Sequence, residues 1–134
     1  MNRDNPAYKA SRKSLDCVQN HRKEDWLALF ADNACIEDPI GKSMLDPVGE
    51  GHRGKAAIER FWDQNIAPNR IEVTCHRSWT AAAEVAHLLT LTTTLPGDHK
   101  VAVEAVFTYA VDADGFITNL RGYWEMSDIA PVKP

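Results

Sequence analysis

The run Ile36-Glu37-Asp38-Pro39-Ile40-Gly41 contains the residue whose neighbours best suit it to chemistry. Asp38 is a carboxylate flanked by Ile36, Pro39 and Ile40. Turned toward an apolar cavity, such a group loses hydration and gains basicity, which is what a general base needs to take a proton from carbon. The competing role for the same residue is to cap the turn that follows a strand, as Asp commonly does. His87 is the second candidate. It shares its parity with Leu89 and Leu91 in an alternating run, so its imidazole is expected on the inner face, where it could pair with Asp38 or hold a ligand oxygen. If the two converge, dehydratase or cyclase chemistry is open to them. The competing role for His87 is a hydrogen-bonded structural residue.

Other chemistries lack their signatures. His21, His52, His76 and His99 show no metal-ligand spacing and no His-Glu-x-x-His helix, so no metal is expected. No glycine-rich phosphate loop and no nucleophile elbow is present, which disfavours nucleotide use and serine hydrolysis; no cofactor is expected. The Asp-Arg-Asp constellation of an epoxide hydrolase is not evident either. Cys17, Cys35 and Cys75 are odd in number and far apart, and read as reduced, small core residues. The net charge of −4 with scattered Lys and Arg argues against nucleic acid as a partner. No apolar run approaches the roughly 20 residues that span a bilayer, and the first residues are polar, so no membrane partner and a cytoplasmic location are expected.

The elements that must position these groups can be read from periodicity. At 134 residues, 44% hydrophobic and 25% charged, residues 1–134 suit a single globular domain. Asn5-Pro6 opens a first helix carrying Tyr8, Ser11, Leu15 and Val18 on one face. A short second helix follows from Lys23 with Trp26, Leu27 and Phe30, ended by a turn at Ala31-Asp32-Asn33, and Ala34 to Asp38 reads as a brief strand stopped by Pro39. Residues 40–54 have loop chemistry of unusual length. Gly54-Lys55 starts a third helix with Ala57, Ile58, Phe61, Trp62 and Ile66 on its apolar face. From Arg70 the period switches to two: Ile71, Val73 and Cys75, then Val85 to Leu91, then Val101 to Tyr109 after the turn Leu95-Pro96-Gly97-Asp98, then Phe116 to Met126. Helices first and an antiparallel meander after them define an α+β fold.

Three stretches together resemble a known family. Phe30-Ala31-Asp32-Asn33-Ala34-Cys35-Ile36-Glu37-Asp38-Pro39-Ile40-Gly41, Gly54-Lys55-Ala56-Ala57-Ile58 with Phe61-Trp62, and Asp114-Gly115-Phe116-Ile117 through Tyr123-Trp124 are similar to the ketosteroid isomerase family. That family lies within the NTF2-like, or SnoaL-like, superfamily, and the likeness is to its actinobacterial members. The resemblance implies a cone of three N-terminal helices packed on a curved, mixed but mainly antiparallel sheet. It also implies a pocket for a steroid-like hydrophobic small molecule and a homodimer formed through the outer face of the sheet, where Val106, Thr108 and Tyr123 would lie.

Ketosteroid isomerases are a known instance of carboxylate tuning, with an Asp base and an oxyanion hole made by a Tyr and a protonated Asp. By motif the base falls on Asp38. Counting back from Asp38 without gaps, the oxyanion-hole Tyr position falls on Ser14; counting back from Trp124, the oxyanion-hole Asp position falls on Phe107, which has no donor. The supporting tyrosine positions fall on Phe30 and Trp62. Losing one oxyanion donor costs roughly 10²- to 10³-fold in turnover, so the resemblance implies ligand binding with weakened isomerisation. Phe30, Trp62, Leu89, Phe107, Leu120 and Trp124 are expected to line the pocket with Ser14 and His87. A pocket that binds without catalysis, as in a carrier, is the other outcome of these replacements. The loop from Lys42 to Arg53 is longer than the family's usual link and is expected either to cover the mouth or to stand out as an insertion.

Overall fold

The structure, a computed structural model, describes residues 1–133. Helix α1 spans Pro6–Gln19, α2 spans Lys23–Leu27 and α3 spans Lys55–Asn65; the strands are β1 (Phe30–Glu37), β2 (His52–Arg53), β3 (Arg70–Ala81), β4 (Glu84–Leu95), β5 (His99–Val111), β6 (Ile117–Tyr123) and β7 (Ala130–Pro131). The α+β class read from the sequence is the one observed: three helices cover one face of a single mixed sheet ordered β2-β1-β6-β5-β4-β3. β1 and β6 run parallel, and the other pairs are antiparallel. β6 leaves β5 at Val106, and β7 takes its place beside Val101 and Ala102.

Local chemistry sets the elements. Pro6 occupies the first turn of α1, and the Asn5 side-chain oxygen accepts from the Ala7 and Tyr8 amides at 2.8 and 3.1 Å. The Asn5 amide also donates to the Ala82 carbonyl at 2.7 Å, which ties the start of α1 to the β3–β4 turn. The buried face of α1 is Ala7, Ala10, Ser11, Ser14, Leu15 and Cys17. Small side chains let the helix lie close on the sheet, and the two serines put hydroxyls into an otherwise apolar layer. Gly54 starts α3 with a φ of +84°, a left-handed conformation that suits glycine. Lys23 pins α2 to α3 through ion pairs with Glu59 and Asp63 at 2.8 and 3.0 Å.

β1 begins earlier than the sequence suggests. Ala31-Asp32-Asn33 reads as a turn, yet lies within the strand, where the pairing with β6 shifts register between Phe30 and Cys35. An irregular, partly exposed strand start accommodates the polar residues that local propensity assigns to a turn. β3, β4 and β5 are long, with 12, 12 and 13 residues, and a register shift between Cys75 and Arg77 bends β3. Along β5 the residues Val103, Ala105, Phe107, Tyr109 and Val111 are buried while those between them are more exposed. Two apolar clusters result. One packs the helices against β1, β6 and the ends of β4 and β5; the other gathers Leu15, Leu89, Val103, Ala105 and Phe107. Among the described residues all three cysteines are free.

Candidate active site

Asp38 follows β1 directly, so the parallel β1–β6 pairing carries it alongside the end of β6. The Ile40 amide donates to the Gly122 carbonyl at 3.1 Å and fixes the chain just beyond it. At this point β6 has no side chain. A Cβ on Gly122 would lie 2.5 Å from Asp38 Oδ1, 2.8 Å from Trp124 Nε1 and 3.0 Å from Phe107 Cε2. The glycine is therefore what allows carboxylate, indole and phenyl ring to meet over one backbone position. Trp124 Nε1 donates to Asp38 Oδ1 at 2.6 Å. The remaining surface of Asp38 opens into a cavity of about 350 Å³, within the roughly 300–1,000 Å³ common for small-molecule sites. Burial in this apolar setting pushes the Asp38 carboxyl up to about 6, and the indole N–H only partly offsets that.

Leu89, Phe107 and Leu120 face the same cavity, whose lining continues over the face of the paired strands β4 and β5 with Leu91, Val103, Thr93 and Val101. Met44 and Leu45 bring the 38–51 loop to its wall, and Met44 is 81% exposed, so this part of the loop borders both cavity and solvent. The Asp46 carboxylate accepts from the Gly49 and Gly51 amides at 3.1 and 2.8 Å, which gives the loop an internal frame.

A second polar group lies at the deep end, under α1 and α2. Trp26 Nε1 donates to Ser14 Oγ at 3.1 Å, and Ser14 Oγ lies 3.4 Å from the Tyr109 hydroxyl. All three side chains are buried and line the cavity. Burial holds the Tyr109 phenol protonated, its pKa pushed up chiefly by desolvation, with the nearby Asp38 charge acting in the same direction and the Ser14 contact against it. Tyr109 is the next inward residue of β5 after Phe107, about 7 Å along the strand.

Ser14, Leu89, Phe107, Leu120 and Trp124 thus share the cavity with Asp38, whereas Phe30, Trp62 and His87 lie elsewhere. Phe30 and Trp62 are buried behind Trp26, whose ring centroid is 4.6 Å from that of Phe30 and 5.0 Å from that of Trp62. The α2 tryptophan is interposed and takes the wall position expected for them. His87 does face inward, but α1 lies directly over it. Its Nε2 is 2.8 Å from Ser11 Oγ and its Nδ1 is 2.6 Å from Ser78 Oγ. Burial, with a smaller contribution from Arg12, lowers the His87 pKa to about 4, which keeps the ring neutral. The expected meeting of His87 with Asp38 is not formed. Sequence reading also passes over Trp26 and Tyr109; the parity of Tyr109 with Phe107 is the available signal.

Residues 11–120 match the SnoaL-like domain family. A steroid Delta-isomerase of Nocardioides simplex is 31% identical over 120 residues, which cover 90% of each chain. Among solved structures, the Delta 5-3-ketosteroid isomerase of a Mycobacterium sp. superposes with a TM-score of 0.92 at 47% identity, covering 96% of this chain and 99% of the other. A Mycobacterium tuberculosis protein solved in complex with estradiol-17beta-hemisuccinate superposes at 0.90 with 46% identity, over 94% of this chain and 98% of its own. With matches across nearly its whole length, the chain belongs to the SnoaL-like (NTF2-like) family, in its ketosteroid isomerase-like branch.

Proposed function

We propose that the protein binds a flat, steroid-like polycyclic ketone in the cavity and that Asp38 carries a proton between two carbons of the bound enone. The observation that carries this reading is the state of Asp38: a carboxyl with one hydrogen bond, facing apolar space, whose pKa of about 6 leaves it largely ionised at neutral pH yet ready to accept a proton. Leu89, Phe107 and Leu120 supply the apolar surfaces a ring system would lie against. The relatives named as steroid isomerases and the estradiol-hemisuccinate complex favour a steroid over other flat ligands.

The test is hydrogen–deuterium exchange at the carbon next to the carbonyl of a 3-ketosteroid, followed by mass spectrometry. Wild-type protein should accelerate exchange and Asp38→Asn should not. Equal exchange by both would remove the catalytic role. Phe107, where the family places a donor, favours a second reading in which the cavity binds and carries such a ketone without turning it over; tight binding with no acceleration of exchange would select it. We also propose that the protein works as a homodimer through Val106, Thr108 and Tyr123 on the outer face, where Tyr123 is 52% exposed. Light scattering should return twice the chain mass at micromolar concentration, and a monomer mass would contradict it. A cytoplasmic site of action is part of the same reading; among the described residues no helix is long and apolar enough to cross a membrane.

A further inference from the structure

We infer that Tyr109 holds the carbonyl oxygen of the ligand, with Ser14 and Trp26 setting the direction of its proton. This rests on the reading of the cavity as a site for a ring ketone and identifies the donor within it. The inference follows from counting protons at the deep end. Ser14 Oγ has one proton and two lone pairs, and the Trp26 N–H occupies one lone pair. Only one proton can lie between Ser14 and Tyr109, so one of the two hydroxyls must have its proton free. If the serine proton points to the phenol, the order is indole N–H to serine oxygen, serine O–H to phenol oxygen, phenol O–H to the cavity. Each bond in such a chain polarises the next.

The alternative order frees the serine proton instead. An alcohol is the weaker acid of the two and gives less to an oxygen on which negative charge develops. A 3.4 Å separation is long for an O–H···O bond, so neither hydroxyl is fully satisfied by the other. A buried donor without a good partner costs free energy until a ligand supplies an acceptor. Position agrees with this chemistry. Tyr109 is one inward step along β5 from Phe107, whose ring meets Asp38 over Gly122, and both Asp38 and Tyr109 line the one cavity. A ketone with its α-carbon at Asp38 and its oxygen toward α1 reaches both. Phe107 cannot donate, and the Trp124 N–H is already committed to Asp38. The deep pair keeps one hydroxyl proton free on the wall of the same cavity.

The experiment compares binding of a 3-ketosteroid with that of its 3-deoxy analogue, to wild type, Tyr109→Phe and Ser14→Ala, by calorimetry. The infrared stretch of a ¹³C-labelled 3-carbonyl is read in the same complexes. Wild type should prefer the ketone over the deoxy analogue by about tenfold or more, the equivalent of one net hydrogen bond. Tyr109→Phe should erase that preference while binding the deoxy analogue as wild type does, and should move the carbonyl stretch up toward its value in an apolar solvent. Ser14→Ala should reduce both effects in part. Because Tyr109→Phe removes only one oxygen, a folding defect would show as loss of the deoxy analogue too, and the shifted stretch in any residual ketone complex still reports the bond. If wild type binds both ligands but the ketone preference and the stretch survive in Tyr109→Phe, the Tyr109 assignment is overturned and the cavity reading stands. If neither ligand binds wild type, the cavity reading falls, and this inference with it.

Discussion

Asp38, just beyond β1, and His87, within β4, are both titratable, both turn to the helix-covered side of the sheet, and both are shifted by burial, yet they are built for opposite ends. His87 is 0% exposed, and each ring nitrogen has a serine hydroxyl within 2.8 Å, so neither is available to a ligand. Asp38 has one indole N–H on one oxygen and open cavity beyond. Partner saturation separates them. A buried polar group with all its bonds made is part of the packing, whereas one left short of bonds beside empty apolar space stores an imbalance that a substrate can use.

The widest break in this comparison should come from Asp38→Asn. Exchange at the ligand α-carbon should fall by roughly 10²- to 10⁴-fold, the range for loss of a positioned general base, while ketone affinity holds within a few-fold. Gly122→Ala comes next. Its new methyl would overlap Asp38 and Trp124, so the carboxylate must move, and a displacement near 1 Å is enough to cost about 10²-fold in rate. His87→Leu should have the reverse profile: a stability loss of about 2–3 kcal/mol in urea unfolding, since the Ser11 and Ser78 hydroxyls lose their partner, with exchange by the folded fraction near wild type. A rate loss matching that of Asp38→Asn would place His87 in the chemistry after all.

The smallest effects concern pH, and their signs differ. The His87 pKa is lowered on folding, so the unfolded chain binds the extra proton, and stability should fall as pH drops from about 6.5 toward 4. His87→Leu should flatten that limb. The Asp38 pKa is raised on folding, so the folded chain holds its proton more tightly, and stability is lost as pH rises from about 4 through 6. Asp38→Asn should therefore raise the melting temperature at pH 7 and leave it nearly unchanged at pH 4. A gain of roughly 1–3 kcal/mol at pH 7 is expected, since a tenfold change in proton affinity corresponds to about 1.4 kcal/mol and the cavity admits some screening. The base is held at a cost to stability, as happens at working sites.

The sequence goes a long way toward this contrast and stops at an identifiable point. Period-two alternation places Leu89, Phe107, Leu120 and Trp124 on the inner face, and the apolar flanks of Asp38 signal its loss of water. Alternation says which face a side chain takes, but not what covers that face. His87 and Phe107 are register partners on β4 and β5, yet α1 closes over one and the cavity opens beside the other. That outcome depends on where Asn5 anchors α1 to the β3–β4 turn, a contact 77 residues apart in the chain. Phe30 and Trp62 are misplaced for a similar reason, because α2 is short and its Trp26 reaches the wall ahead of them. Tyr109 is within reach of parity. An ungapped count from Trp124 ends on Phe107, one inward position short of the phenol.

The most direct measurement is a titration of the Asp38 carboxyl by ¹³C NMR in the ligand-free protein, with Asp38→Asn to assign the resonance. A midpoint near 6 is the expected result, as for a carboxylate drawn out of water with a single donor. A midpoint near 4, the ordinary value for Asp, would mean that the side chain is solvated and that the cavity holds no base.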